Sequence, residues 1–203
     1  MTGTALVVVD LGDADLVVRL VDEIRSGGAD LTVRAILTPA ELSGFGWTAG
    51  DRVVLAGRDP QRRADGAASI QGDGGPPALT LVHPSATLGS DVELGAGSVV
   101  AAGARVTTNV RAGAQLWVGE DATLSHDGRF GDWVTIGRGA NVTGNCTVGD
   151  RSVIGDRSVL LPGVRLASDV QVGAGSVVLV DVSPAASVAG VPAEVVDPVD
   201  PVG

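Results

Sequence analysis

This sequence of 203 residues contains no lysine and no tyrosine, only two histidines and a single cysteine. All 14 basic residues are arginines and 24 residues are acidic, so the formal net charge is −10. Nucleic-acid binding needs a basic surface, which an acidic chain of this kind does not offer. The lone Cys146 cannot form a disulfide within the chain, and this is typical of a reducing compartment. We therefore expect a cytoplasmic protein without a nucleic-acid partner.

Long hydrophobic runs are also missing. The apolar run near the N-terminus covers only residues 5–9, and no basic segment precedes it. It is too short for a signal peptide or a membrane span, so the sequence predicts no membrane insertion.

The dominant pattern is a repeat with a period of six. Counted in sixes from residue 88, an apolar residue recurs sixteen times without a slip in register. A helix would need a period near 3.6 and a half-buried strand a period of 2, whereas a hexad indicates a parallel β-helix. Three hexads form one triangular coil, so residues eighteen positions apart stack in neighbouring coils. The column consists of Leu88, Leu94, Val100, Val106, Ala112, Val118, Leu124, Phe130, Ile136, Val142, Val148, Ile154, Leu160, Leu166, Val172 and Val178.

The first 80 residues follow a different pattern. Apolar runs predict strands near residues 5–9, 31–37 and 52–56, and helical spacing predicts helices over residues 16–24 and 61–70. Strand and helix alternate, which predicts a small α/β (Rossmann-like) domain. We expect this domain to span residues 1–80 and the β-helix, with a C-terminal tail, residues 81–203.

The turn after the first strand runs from Asp10 to Asp15 and contains one glycine, Gly12, and three carboxylates. Such a turn often holds a phosphate at a helix N-terminus. Carboxylates suit the helix dipole but would repel a pyrophosphate. From these residues alone, a capped turn without a ligand is the favoured interpretation.

Within the β-helix, His126 and Asp127 lie outside the apolar column. A histidine held by a carboxylate is a common general base, but an ordinary surface pair would look the same in the sequence. Gly144 follows one coil later and Pro162 two coils later. A glycine beside a base lets a backbone N–H approach a carbonyl oxygen, although glycines are common at these turns.

Three other residues are expected to have structural or interface roles. His83, which precedes a proline at the start of the β-helix, is expected to have a structural role. Trp117 and Trp133 fall on one side of successive coils and point outward. We expect these two side chains to form a contact between subunits rather than a ligand wall.

Taken together, these motifs resemble the hexapeptide-repeat acyltransferases, and among them the sialic-acid and nucleotide-sugar acetyltransferase family (NeuD/PglD type). The likeness covers nearly the whole chain. It is carried by residues 82–86, 125–127, 130–132, 143–145, 160–162 and 188–193.

The resemblance implies a homotrimer of left-handed β-helices with active sites in the clefts between subunits. It implies acetyl-CoA as the acyl donor, a sugar or nucleotide-sugar amine or hydroxyl as the acceptor, and no metal. His126 would then be the general base and Asp127 its partner.

The remaining site residues also follow from the resemblance. Gly144 would donate its N–H to the thioester carbonyl, with Thr135 and Pro162 on the same cofactor side. Gly12 and Asp10 would contact the acceptor. The chain departs from the family in two of these places: Ala14 replaces a histidine after the first strand, and Thr135 replaces a second histidine nine residues past the base.

Two alternatives share the β-helix. A γ-type carbonic anhydrase binds zinc through three histidines, whereas this chain has two, far apart in sequence. A non-catalytic assembly or binding protein that has lost the nucleotide-sugar site remains open because of the altered turn and Thr135. The retained pair of His126 and Asp127 favours the enzyme.

Overall fold

The computed structural model describes residues 3–72 and 74–197, and it begins with a three-stranded parallel sheet in the order β2-β1-β3. The predicted strands and helices are all present, with ends that differ by a few residues. The elements are β1 (Thr4–Asp10), α1 (Ala14–Ser26), β2 (Leu31–Leu37), a 3₁₀ turn (Pro39–Glu41), β3 (Asp51–Ala56) and α2 (Pro60–Gly72).

Apolar spacing explains how this N-terminal α/β unit holds together. The centre of β1 is a run of fully buried residues because it pairs with strands on both sides. Val17, Leu20 and Val21 lie on one face of α1 and are buried against the sheet. The helix ends at Gly27, where the N–H returns to the carbonyls of Glu23 and Ile24. Neither α1 nor α2, among the described residues, has the length and apolar character of a membrane-spanning helix.

The rest of the chain forms a parallel β-helix with three faces, each a stack of very short strands. The first face contains Leu81–Val82, Val99–Val100, Trp117–Val118, Thr135–Ile136, Val153–Ile154, Gln171–Val172 and Ser187–Ala189, followed by the antiparallel Glu194–Val196. The second face contains Thr87–Leu88, Arg105–Val106, Thr123–Leu124, Asn141–Val142, Val159–Leu160 and Val177–Val178. The third face contains Glu93–Leu94, Arg111–Ala112, Arg129–Phe130, Thr147–Val148 and Arg165–Leu166.

From Leu94 onward the hexad column fills the interior, as predicted, whereas Leu88 in the first coil is 41% exposed. Leu124 pairs with Val142 and Phe130 pairs with Val148, which confirms that residues eighteen apart stack in adjacent coils. The smaller residues four positions after each column member, such as Ala122 and Cys146, are also fully buried. Each large interior side chain contributes about 1.5–3 kcal/mol through its removal from water.

The N-terminal unit packs on the first face and covers the two tryptophans. Trp117 points outward from the β-helix, but it is only 1% exposed because it lies in a cluster with Leu6, Val8 and residues of α1. Trp133 packs on the other side of the small sheet, against a cluster that includes Val9 and Ile70. The prediction of a contact between subunits is therefore wrong for Trp117, whereas Trp133 is only partly buried and for it the contact stays a prediction. The outward direction was right, but for Trp117 the same chain supplies the partner surface.

A buried arginine joins the two parts of the chain. Arg63 in α2 is 1% exposed, and its guanidinium donates hydrogen bonds to the carbonyls of Gly57 and Trp133 and to Thr135 Oγ1, at 2.8, 2.9 and 3.0 Å. Burial lowers the pKa of Arg63 to about 9, and the side chain therefore stays charged at neutral pH. Because a buried charge is costly without partners, these hydrogen bonds keep the α/β unit in one position on the first face.

Replacement of Arg63 by alanine should lower the free energy of unfolding by about 3 kcal/mol, since it leaves a cavity and unpaired acceptors at a buried junction. The neighbouring Arg62 is exposed, so Arg62→Ala is the matched control and should change stability by less than about 0.5 kcal/mol. Chemical denaturation of both variants measures the difference. Equal stability of the two variants would show that Arg63 does not hold the units together.

Candidate active site

His126 lies at the corner where the chain turns from the second face to the third. The corner lies between the strands Thr123–Leu124 and Arg129–Phe130. The side chains of Leu124 and Phe130 both point into the interior. His126 is not part of an inward column, and its side chain is 55% exposed. We call this site, residues 125–127 with the stacked residues 143–145 and 161–163, the His126 corner.

The imidazole and its neighbouring carboxylate form a direct pair. His126 Nδ1 lies 2.7 Å from Asp127 Oδ2. This hydrogen bond and a second one from Asn109 hold the pKa of Asp127 below its ordinary value, so the carboxylate is ionised at neutral pH. An ionised carboxylate accepts the Nδ1 proton, which leaves Nε2 of the neutral ring with a free lone pair. The pair therefore has the arrangement of an oriented base.

Gly144 lies directly beneath the imidazole, as the stacking rule predicts. A Cβ atom built on Gly144 would come within 2.5 Å of both Nε2 and Cε1 of His126. The Gly144 carbonyl accepts the N–H of Gly163 at 3.0 Å, whereas the Gly144 N–H has no acceptor among the described residues. The imidazole therefore occupies the space that a side chain at position 144 would take, next to an N–H without a protein acceptor. Pro162 is exposed one coil further along the same corner.

Thr135 does not lie at this corner. It belongs to the first face and is 2% exposed. Its hydroxyl donates to the carbonyl of Arg58 at 2.5 Å and accepts from Arg63 at 3.0 Å. The side chain expected on the cofactor side is therefore occupied at the junction with the α/β unit. The hexad register places it on the first face, but the sequence did not show that α2 covers that face.

Asp10 and Gly12 lie at the carboxyl end of β1 in the α/β unit, whereas His126 lies at a corner of the β-helix. Asp10 Oδ1 accepts the N–H of Gly12 at 2.8 Å and that of Ala14 at 3.4 Å, so a carboxylate already occupies one N–H of the turn and the first N–H of α1. Asp13 is turned away and accepts the N–H of Arg58 at 3.0 Å. Of the three carboxylates in this turn, Asp10 is the one that accepts hydrogen bonds from the N–H groups of Gly12 and Ala14.

Two clefts flank the Gly12 turn. One, of about 470 Å³, lies at the carboxyl ends of β1 and β2 and is lined by Asp10, Gly12, Pro39 and Arg62 among others. The other, of about 500 Å³, lies between α1 and the β-helix and is bordered by Glu23, His83, Glu120 and Arg138 among others. His126 lines neither cleft. Neither of these two clefts therefore brings the predicted acceptor residues together with the predicted base.

His83 lies at the start of the β-helix in a structural arrangement. Its Nε2 contacts the carboxylate of Glu23 on α1, and its Nδ1 accepts the N–H of Ser85 at 3.0 Å. In residues 3–72 and 74–197, no group of three or more histidine, cysteine, aspartate or glutamate side chains is arranged to bind a metal ion.

Sequence reasoning missed one residue of the corner. Asn109 donates its amide to Asp127, and it lies eighteen positions before it in the adjacent coil. The same stacking rule that related His126 to Gly144 could have found it, had the rule also been applied toward the N-terminus.

Comparison with known proteins finds similar solved structures but no similar sequence family. No protein-family model matches the sequence, and no curated protein matches it. Among solved structures, the acetyltransferase domain of PglB from Neisseria gonorrhoeae is 25% identical, with a TM-score of 0.85, and the match covers 96% of this chain and 100% of that one. PerB from Caulobacter crescentus, solved with CoA and GDP-perosamine, is 27% identical with a TM-score of 0.80, over 96% and 98% of the two chains.

A further structure of the same PglB domain contains acetyl-coenzyme A; it is 26% identical, with a TM-score of 0.84, over 96% of this chain and 100% of that one. The hexad coil, the His126 corner and these similarities over nearly the full chain agree. The chain is an acetyltransferase with a hexapeptide-repeat coil, and it is similar over nearly its full length to these solved acetyltransferases.

Replacement of Gly144 by alanine should displace the imidazole without unfolding the coil. The new Cβ would meet the far end of a half-exposed side chain that can rotate away, so stability should change by less than about 0.5 kcal/mol. Gly50→Ala is the control, because a Cβ there meets nothing within 4 Å. A crystal structure of the variant should show His126 moved away from Asp127. An unmoved ring would contradict the close packing inferred here.

Proposed function

We propose that this chain transfers an acetyl group from acetyl-CoA to an amine or hydroxyl of a sugar or nucleotide-sugar acceptor, with His126 as the general base. The observation that carries the proposal is the His126 corner itself. It combines an imidazole held by an ionised carboxylate with a free N–H at Gly144 directly below the ring. The two close structural relatives named above were solved with acetyl-coenzyme A or with CoA and GDP-perosamine.

The residues present fit an acyl donor at this corner. Gly144 has no side chain to displace the imidazole, and its N–H, which has no acceptor among the described residues, would suit a thioester carbonyl oxygen. Below it, Leu161, Leu179 and Val180 are 37%, 47% and 68% exposed, and they follow the same edge with Pro162. Exposed apolar residues in a row suit the apolar part of a pantetheine arm.

In the proposed reaction, His126 Nε2 accepts a proton from the acceptor amine or hydroxyl as that group attacks the acetyl carbon. The new bond from the acceptor to the acetyl carbon forms, the carbon–sulfur bond breaks, and the thiolate of CoA leaves with the bonding electrons. The proton held by His126 then neutralises the thiolate. Asp127 keeps the Nδ1 proton in place throughout, and the Gly144 N–H stabilises the negative charge that develops on the thioester oxygen.

The assembly that fits this reaction is a homotrimer of left-handed β-helices. His126 lines neither of the two clefts beside Gly12, so an acceptor held at the α/β unit would have to reach the base of another chain. In this proposal the α/β unit, which we take as Rossmann-like and bounded near residue 80, binds the acceptor. Closed cyclic symmetry is the usual arrangement for such shared sites, and light scattering measures the mass directly.

The acceptor class is constrained by Asp10. Its carboxylate occupies the N–H groups of Gly12 and Ala14, which are the donors that would otherwise hold a phosphate at the start of α1. Arg62 is the cation among the residues that line this cleft. We therefore favour an uncharged or cationic amino sugar or amine, or a nucleotide sugar held mainly by the β-helix.

Removal of the base should have a large kinetic effect. His126→Ala should lower the rate of acetyl transfer by about 10²–10⁴, the usual scale for general-base catalysis, and Asp127→Asn should have a smaller effect. Asp121→Asn is the matched control, because Asp121 also lies at a coil corner with left-handed backbone. Release of CoA thiol, measured with a panel of free and nucleotide-linked amino sugars, gives the rates.

Acetyl-CoA binding, measured by calorimetry, should survive in all three variants. A turnover of His126→Ala equal to that of the native chain would place the base elsewhere. Binding of acetyl-CoA by the native chain without turnover of any acceptor would favour a non-catalytic β-helix protein.

Binding of a nucleotide should be weak and should depend on Asp10. A series of free amino sugar, the same sugar on a nucleoside diphosphate, and the nucleotide alone should show little gain from the diphosphate. Asp10→Asn keeps the shape but removes the charge, and it should strengthen nucleotide binding about fivefold, which corresponds to roughly 1 kcal/mol at a helix N-terminus. Asp22→Asn, two turns further along α1 and in neither cleft, is the control.

Tight binding of the nucleotide alone by the native chain, lost when Gly12 is replaced, would show that the turn still binds phosphate. That outcome would contradict the constraint that we assign to Asp10.

A further inference from the structure

Asn109 contacts the predicted catalytic pair from the coil above. It lies eighteen positions before Asp127, and both residues occupy the same corner position with left-handed backbone, at φ values of 54° and 61°. The Asn109 side-chain amide donates to Asp127 Oδ1, and His126 Nδ1 donates to Oδ2 of the same carboxylate. Asp127 is thus held from both of its oxygens.

Arg129 determines which way the Asn109 amide faces. Its guanidinium lies 2.7 Å from the Asn109 backbone carbonyl and 3.4 Å from Asn109 Oδ1. An arginine can only donate, and an ionised carboxylate can only accept. The amide therefore has one consistent orientation, with its oxygen toward Arg129 and its NH₂ toward Asp127. This removes the usual ambiguity between the two ends of an amide.

From this geometry we propose that Asn109 is a positioning residue, which acts through Asp127 to keep the His126 proton on Nδ1 and its Nε2 free to accept the acceptor's proton. Asn109 itself is not expected to touch either substrate. The inference rests on the proposed role of His126 as the base. It adds a third member to the pair, supplied by a neighbouring coil rather than by the local sequence.

The physical reason lies in how the carboxylate is constrained. Asp127 has a side chain 42% exposed, so burial does not fix its rotamer. Without Asn109 the carboxylate could rotate toward water, and the neutral imidazole would then be free to place its proton on either nitrogen. The charged groups that face Asp127 are His126 and Arg129, and both favour its ionised form together with the Asn109 amide.

The experiment uses nuclear magnetic resonance on the native chain and two variants, with labelled histidine and aspartate. Only His83 and His126 contribute histidine signals, and His126→Ala assigns them. Asn109→Gly removes the amide but tolerates the left-handed backbone, and Asn109→Asp keeps the shape and replaces the donor by a second carboxylate. Asp91→Gly is the matched control, one coil above Asn109 at φ 55°.

In the native chain, neutral His126 should carry its proton predominantly on Nδ1. Asn109→Gly should abolish this predominance and raise the pKa of Asp127, because a hydrogen bond to the charged form has been lost. Asn109→Asp should raise the pKa of Asp127 further through like-charge repulsion. The Asp91→Gly variant and the His83 signals should be unchanged.

An unchanged His126 tautomer and an unchanged Asp127 titration in both folded variants would overturn the proposal and leave Asn109 as a turn residue. If Asn109→Gly fails to fold, Asn109→Asp decides the question on its own, since aspartate is tolerated at the same φ. The measurement needs neither acyl donor nor acceptor. Its failure would therefore leave the acetyl-transfer proposal intact, and failure of acetyl transfer would leave the tautomer result standing.

Discussion

Parallel pairing between residues eighteen positions apart is the constraint on which the rest of this structure depends. Each coil has three short strands, and each strand hydrogen-bonds to the equivalent strand of the next coil, as Leu124 does with Val142. Side chains in the column point inward because a hexad returns every sixth residue to the same orientation. Every outward position is then also stacked in a column. His126, Gly144 and Pro162 are neighbours for this reason, although they are far apart in sequence.

The same stacking means that residues from several coils form the His126 corner. Asn109 comes from the coil above, His126 and Asp127 from the middle, and Gly144 from the coil below. The side chains of Asn109, His126 and Asp127 are not deeply buried, and hydrogen bonds from His126 and Asn109 lower the pKa of Asp127. An exposed site that is ordered by hydrogen bonds suits the proposed role of His126 as a base that two substrates approach from solvent.

The α/β unit has a second role besides any ligand binding, because it covers the first face of the β-helix. Trp117 is buried in that junction and Arg63 adds a charged link to the backbone near Trp133. Three hydrogen bonds from the two terminal nitrogens offset part of the cost of burying the guanidinium, whereas its Nε has no partner among the described residues. Because Thr135 takes part in the same junction, its hydroxyl cannot serve the corner.

Much of this protein follows from the sequence alone. The hexad column determined the coil, its register and its interior. The period of eighteen placed Gly144 beside His126, and apolar spacing located β1, β2, β3, α1 and α2. These predictions succeed because they depend on periodicity, which local backbone geometry dictates. Which surfaces cover each other depends instead on contacts between segments with no shared period. Only the tertiary structure showed that α2 packs over Thr135 and Trp133, and that Asp10 folds back onto the N–H groups of its own turn.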